Sequence, residues 1–81
     1  MAQYINRSAL VVLRQKVQDA LLKSVIDYYE AEMACCEIAV PQQWKDDRKK
    51  AYDEFIWRCQ DYQIVHESDN IDLEELNYNY L

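Results

Sequence analysis

A chain of 81 residues is long enough for one small domain. Its net charge of −6 is negative, which argues against tight binding to nucleic-acid phosphates. Hydrophobic residues make up 51% of the chain, which argues against disorder, yet no apolar run approaches the roughly 18 residues of a membrane span. Residues 1–7 lack the apolar core of a secretory signal, so we expect a cytoplasmic protein with no membrane contact.

The chain contains no Gly and one Pro, which favours helices over strand-rich folds that need many turn residues. We therefore predict an all-α fold with a single helical domain over residues 1–81. Its centre is a long antiparallel helical hairpin, and a short C-terminal helix folds back on it. We further expect such hairpins to assemble into a helical bundle oligomer.

The first helix is predicted over about residues 8–39. Asn6 or Ser8 can cap its start by accepting a hydrogen bond from a free backbone N–H group. Val40 precedes Pro41 and is pushed toward extended geometry, so the helix should end by about there. Tyr4 and Ile5, in the lead-in, are apolar enough to lie against the hairpin.

The apolar stripe of this helix is nearly twice as wide as the roughly 100° that a single partner helix requires. The centre of the stripe includes Leu10, Leu13, Val17, Leu21, Val25, Tyr28 and Cys35. The side that widens it includes Val11, Leu22, Tyr29, Cys36 and Val40. Either a third element or another copy of the chain must cover the excess. We predict at least a dimer, with Leu22 and Tyr29 on the intermolecular side.

Two charged residues, Arg14 and Glu32, fall inside the apolar stripe, where a lone buried charge is costly. If two copies of the helix packed antiparallel with their centres near Lys23, Arg14 of each copy would lie opposite Glu32 of the other. The alternative is that both side chains reach the edge of the stripe, or that Arg14 meets acids of the second helix or the tail.

The second helix is predicted over about residues 42–65, with Pro41 at its first position, where a missing N–H has no cost. Trp44, Phe55 and Tyr62 belong to its apolar stripe. Trp57 lies about 220° around the helix from Trp44, on the more polar side. We interpret Trp57 as the seat of the C-terminal segment or as part of a partner surface.

The C-terminal segment is acidic and carries apolar anchors. Residues 67–81 contain five acids and no Lys or Arg. Asp69 or Asn70 can cap a helix at about residues 70–77, and Ile71, Leu76 and Tyr78 are predicted to pack on the hairpin beside Trp57. Aromatic residues are favoured at interfaces. The candidate partner-binding residues are therefore Trp57, Tyr78, Tyr80 and Leu81.

One basic cluster stands at the start of the second helix: Lys45, Arg48, Lys49 and Lys50. A solvated helix face balanced by Asp46, Asp47 and Asp53 explains it best. A phosphate-binding patch for nucleic acid or a nucleotide is an alternative, and docking of the acidic tail or an acidic partner is another. Binding to phosphate would weaken steeply as salt rises, whereas an apolar protein interface would hardly respond.

Catalytic and metal-binding patterns are weak. Cys35, Cys36 and Cys59 make an odd number of cysteines, best explained as buried reduced thiols; a zinc site completed by His66 is the alternative. On a helix, Cys59 and His66 lie about 10 Å apart along the axis, too far for a nucleophile and its base. We expect no cofactor, no metal and no enzyme activity.

No motif in the chain indicates a family. The most consistent function is a non-catalytic protein-binding module, adaptor or inhibitor, acting through helical and aromatic surfaces on a protein partner. The rival hypothesis is a nucleic-acid or nucleotide binder that uses the basic cluster.

Overall fold

The computed structural model describes residues 4–81. It contains two long helices, α1 (Arg7–Ala34) and α2 (Gln42–Glu67), and a 3-10 turn at Leu73–Glu75. The helices pack against each other as an antiparallel hairpin, because Leu13 lies near Val65 at one end and Tyr28 near Tyr52 at the other. The principal dimensions are 50 × 23 × 18 Å. The predicted all-α class and hairpin are confirmed.

The start of α1 follows local chemistry. The Asn6 side chain accepts a hydrogen bond of 2.9 Å from the backbone N–H of Ala9, as predicted for one of the two candidate caps. Before it, Ile5 packs on the core, and the backbone of Tyr4 forms an isolated antiparallel bridge with Asp72. Residues 1–3 of the predicted lead-in lie outside the described residues.

The end of α1 differs from the prediction, because the helix stops at Ala34 and does not reach residue 39. The N–H of Cys35 donates to the carbonyls of Ala31 and Glu32, which tightens and closes the last turn. Since α2 begins only at Gln42, further turns of α1 would have no helix beside them, and Ile38 is in fact fully exposed. A two-residue link would also have to be almost fully stretched to span the roughly 8–10 Å between packed helices.

The start of α2 is confirmed at Gln42, while its end lies slightly beyond the predicted residue 65, at Glu67. Pro41 is the residue just before the helix, with φ −59° and ψ 145°, and therefore does not occupy the first helical position. Its carbonyl accepts hydrogen bonds from the N–H groups of Trp44 and Lys45, at 3.1 and 3.4 Å. Neither α1 nor α2 is long and apolar enough to cross a membrane.

The core occupies one end of the hairpin, where the N-terminal half of α1 meets the C-terminal end of α2 and the tail. Its buried side chains are Leu10, Leu13, Val17, Val65 and Ile71, and Ile5, Tyr62, Ile64, Leu73, Leu76 and Tyr80 pack against them. The opposite end is more open, with Trp44 and Tyr52 both over 40% exposed. The tail is thus part of the core and completes it.

The C-terminal segment folds back as predicted, but the helix expected at about residues 70–77 is instead the short 3-10 turn Leu73–Glu75. Asp72, and not the predicted Asp69 or Asn70, caps this turn by accepting from the N–H of Glu74 at 3.0 Å. A helix of eight residues is unstable in isolation. An extended chain also lets Ile71 and Tyr80 both reach the core, and the N–H of Asn77 bonds to α2.

Candidate protein-binding surfaces

The C-terminal segment is held by a carboxylate that is completely buried, that of Asp61 on α2. Asp61 Oδ1 accepts hydrogen bonds from the backbone N–H of Asn77 at 2.8 Å and from its side-chain amide at 3.0 Å. Asp61 Oδ2 accepts from the Tyr80 hydroxyl at 2.6 Å. Three donors from the tail therefore converge on one side chain, which is how a buried carboxylate is stabilised.

Arg58 lies one turn before Asp61 and packs against the aromatic rings of the tail. Its guanidinium carbon is 3.5 Å from the centre of the Tyr78 ring and 5.2 Å from that of Tyr80, and its Nη2 donates to Glu54 at 3.4 Å. Burial by itself lowers the pKa of Arg58, but interactions with Tyr80 and Glu54 outweigh it and the pKa is raised. Both tyrosine rings thus make cation–π contacts with Arg58, which are favourable.

The Tyr80 hydroxyl has a strongly raised pKa. Burial is the largest cause, and the hydrogen bond that Tyr80 donates to the Asp61 carboxylate adds to it. The neutral phenol is therefore the form that the folded tail requires.

This shift predicts a loss of stability in alkali. In the unfolded chain Tyr80 ionises near its ordinary pKa of 10.0, whereas in the folded chain it ionises only at higher pH. Its contribution to the free energy of unfolding is therefore complete below about pH 10 and is lost as the pH rises toward the folded pKa. We expect the free energy of unfolding in urea to fall less steeply above about pH 10 in Tyr80→Phe than in the unsubstituted protein. The exposed Tyr4→Phe is the control and should retain the original slope; equal slopes for all three proteins would contradict the assignment.

The predicted partner-binding residues fall into two groups. Tyr78 and Tyr80 are half-buried and serve first to attach the tail to α2. Trp57 and Leu81 remain 47% and 51% exposed. The prediction that the tail sits beside Trp57 is confirmed: its ring centre is 6.3 Å from that of Tyr78, and its carbonyl accepts from the Asn77 amide at 3.2 Å. Trp57 and Leu81 are the parts of this set that a partner can reach.

A larger exposed apolar surface runs along α1. We call it the α1 face and define it by six side chains that are 43–66% exposed: Val11, Leu22, Val25, Ile26, Tyr29 and Met33. They lie within about 100° of one another around the helix, beside the stripe that α2 and the tail cover. Leu22 and Tyr29, two of the four predicted self-association residues, belong to it. The sequence-based prediction that a single partner helix leaves part of α1 uncovered agrees with these exposures.

Arg14, the third predicted self-association residue, has its partners within the chain. Its Nε donates to the Val65 carbonyl at 3.2 Å, and its Nη2 donates to the Ser68 carbonyl and to Asp69 Oδ1 at 3.2 and 3.1 Å. The second of the two interpretations of Arg14, a contact with the tail, is therefore the one the structure shows. The positively charged guanidinium lies against carbonyl oxygens at the C-terminal end of α2, where the helix dipole favours a positive charge. Arg14 is therefore engaged by its own chain, contrary to the prediction that it takes part in self-association.

Glu32, the fourth predicted self-association residue, is half-buried one turn after Tyr28. The nearby Glu32 carboxylate raises the pKa of Tyr28. The centre of the Tyr28 ring in turn lies 5.4 Å from that of Tyr52 and 5.9 Å from that of Phe55, both on α2, so this part of α1 faces α2. Glu32 thus borders the α1 face but lies toward α2.

The basic cluster is surrounded by opposite charges. Lys45, Lys49 and Lys50 are exposed and Arg48 is half-buried. A shallow depression beside them contains both signs of charge, being lined by Gln43, Asp46, Lys49, Lys50 and Asp53. The acidic tail docks at the other end of α2, so the suggestion that the cluster holds the tail is wrong. The mixed lining favours a solvated helix face over a phosphate site.

The three cysteines lie just beyond α1 and on α2, and His66 lies on α2. Cys35, Cys36 and Cys59 are free thiols; Cys36 is exposed and the other two are half-buried, so the expectation that all three are buried is wrong. Burial raises the pKa of Cys59. His66 stacks on Tyr62 with ring centres 4.0 Å apart, and its Nδ1 is 3.0 Å from the Tyr62 carbonyl. Within residues 4–81, no three His, Cys, Asp or Glu side chains are close enough to bind a metal ion together.

The residue that the sequence analysis missed is Asp61. Trp57, Asp61 and Val65 lie four residues apart and therefore on one line of α2, with an acid between two large apolar side chains. A lone acid in that position needs donors from another element, and Asn77 and Tyr80 supply them. The pattern was available in the sequence, but the donors could be identified only once the path of the tail was known.

No protein-family model, curated protein or solved structure matches this chain.

Proposed function

We propose that the protein is a non-catalytic protein-binding module that acts as an adaptor or inhibitor by covering part of another protein. The α1 face is the observation that supports this proposal. Apolar patches larger than a few hundred Å² are uncommon on monomeric proteins and typically mark interaction sites. Six large side chains on one helix, each at least 43% exposed, form a patch of that size.

The chemistry of the α1 face favours a protein partner. Leu22, Val25, Ile26 and Met33 all lie within seven residues of Tyr29, whose ring is 64% exposed. Tyrosine in the middle of an apolar patch is typical of residues that dominate binding energy, because it adds a large rigid surface and one hydroxyl. Trp57 and Leu81 provide a second, smaller exposed apolar area near the tail. The proposed module therefore offers two surfaces.

The test is affinity capture with the tagged chain in extract from its native host, in low and in high salt. We expect one or more proteins to be retained by the unsubstituted chain and by Ile38→Glu, which alters a fully exposed residue outside α1. Leu22→Glu should lose them, because it places a charge in the middle of the α1 face. Retention should persist in high salt, since apolar contacts are little screened. Equal retention by Leu22→Glu, or retention that salt abolishes, would contradict the proposal.

We also propose a cytoplasmic location. Three free thiols, one of them exposed, are compatible with a reducing compartment, whereas secreted proteins of this size commonly use cysteines in disulfides. Fractionation of the host with an antibody to the chain tests this, and recovery from an oxidising compartment would contradict it.

A further inference from the structure

We propose that the α1 face is covered by the same face of a second copy of this chain, with the two α1 helices antiparallel and crossing at Leu22. The inference rests on the proposed function and identifies the protein partner at the α1 face as a second copy, so the proteins retained through Leu22 in the capture experiment should be the host's own copies of this chain. Trp57 and Leu81, which lie away from α1, would then remain available on both copies.

The spacing of the α1 face suits a helix as its occupant. Val11, Gln18 and Val25 are seven residues apart, as are Gln15, Leu22 and Tyr29, and all six lie on the exposed side of α1. Alternating steps of three and four residues form the seam along which two helices pack at a crossing angle of about 20°. The seam from Val11 to Met33 is about 33 Å long. A helix of the length of α1 matches it from end to end.

The seam is complementary to itself in one orientation. With two antiparallel helices crossing at Leu22, Val11 lies opposite Met33, Gln15 opposite Tyr29, and Gln18 opposite Ile26. The two glutamines of the N-terminal half then cover the apolar C-terminal half of the other copy, and the Leu22 residues meet on the two-fold axis. Because a two-fold interface places the same surface on both partners, it is closed and requires no further copies. A parallel pair would instead bring each glutamine level with its own counterpart.

The charges beside the seam also favour the antiparallel orientation. Asp19 and Lys23 are both exposed and flank the same side of the seam near Leu22. In the antiparallel pair Asp19 of each copy lies close to Lys23 of the other, which gives two symmetric pairs of opposite charge. In a parallel pair the Asp19 and Lys23 residues of the two copies would lie on opposite sides of the seam, and these pairs could not form. Arg14, whose partners are in its own tail, is not needed for this arrangement.

The area is sufficient for a specific but modest interface. The six side chains of the α1 face expose roughly 600 Å² per copy, so a dimer would bury about 1,200 Å² in total. Specific interfaces start at about 1,000 Å². We therefore expect a dimer that dissociates in the micromolar range.

Sedimentation equilibrium over about 1–500 μM tests the association. We expect the mass of the unsubstituted protein to rise with concentration from 9.8 kDa toward twice that value. Leu22→Glu places two like charges together on the two-fold axis and should weaken the dimer at least about tenfold, while Ile38→Glu should leave it unchanged. Circular dichroism confirms that each variant remains helical. A constant mass of 9.8 kDa for the unsubstituted protein overturns the inference.

Two measurements test the orientation. Asp19→Lys and Lys23→Asp should each weaken the dimer, and the double variant should restore most of the affinity. With the natural cysteines replaced by alanine, oxidation should cross-link Leu22→Cys between copies but not Val11→Cys, whose two sulfur atoms would be about 33 Å apart. No recovery in the double variant, or efficient cross-linking of Val11→Cys, overturns the antiparallel arrangement.

The same variants separate this inference from the proposed function. A monomer that still captures a different host protein through Leu22 would overturn the second copy as partner and leave the protein-binding function standing. A chain that neither dimerises nor captures any protein through the α1 face would overturn both.

Discussion

Replacing Asp61 by alanine is expected to lower the free energy of unfolding by about 3 kcal/mol and to release the C-terminal segment. The substitution leaves the N–H of Asn77 and the hydroxyl of Tyr80 without their acceptor in a partly buried site. It also removes a negative charge that interacts with Tyr78 and Tyr80. Urea denaturation measures the stability, and amide hydrogen exchange of residues 71–80 measures the release.

Two controls separate the buried carboxylate from acidic residues in general. Asp46→Ala alters an exposed acid on α2 that accepts only from Gln42 one turn earlier, and it should change stability by less than about 0.5 kcal/mol. Asp61→Asn keeps the size of the side chain and the acceptor for Asn77, so its cost should be less than half that of alanine. Similar stabilities for Asp61→Ala and Asp46→Ala would show that the tail does not depend on Asp61.

Ending the chain after Ser68 is expected to have the largest effect. It removes Ile71 from the core, removes every tail donor to Asp61 and takes away the Asp69 partner of Arg14. A large buried aliphatic side chain alone contributes roughly 2–5 kcal/mol when it is lost to a cavity. We expect the melting temperature to fall by more than about 10 °C.

Fluorescence locates the effect at the tail. In a Trp44→Phe background, Trp57 is the remaining tryptophan, and its emission should shift to longer wavelength when Tyr78 and Asn77 no longer cover it. Deletion of the half-exposed Leu81 alone is the control and should change neither the emission nor the melting temperature appreciably. Unchanged emission and melting temperature on truncation after Ser68 would contradict the role of the tail in the core.

Features that depend on neighbouring residues could be predicted from the sequence. The periodicity of α1 and α2 and the absence of Gly indicated the helices and their hairpin, and Asn6, one of the two candidate caps, marks the start of α1. The width of the apolar arc on α1 indicated that part of it stays uncovered by one helix, and Leu22 and Tyr29 are indeed exposed. The position of Trp57 on the more polar side of α2 indicated the seat of the tail. These inferences succeed because helix formation and amphipathic patterning are local properties.

Contacts between residues far apart in the chain were decided by the tertiary structure. Arg14 bonds to residues more than 50 positions away, and Asp61 to residues 16 and 19 positions away, so neither partner is visible in a local pattern. The end of α1 at Ala34 depends on where α2 begins. The tail is extended because Asp61 and the core capture its polar and apolar groups more favourably than a short isolated helix would. Local sequence thus determined which segments are helical, and long-range packing determined where they end and how the tail is attached.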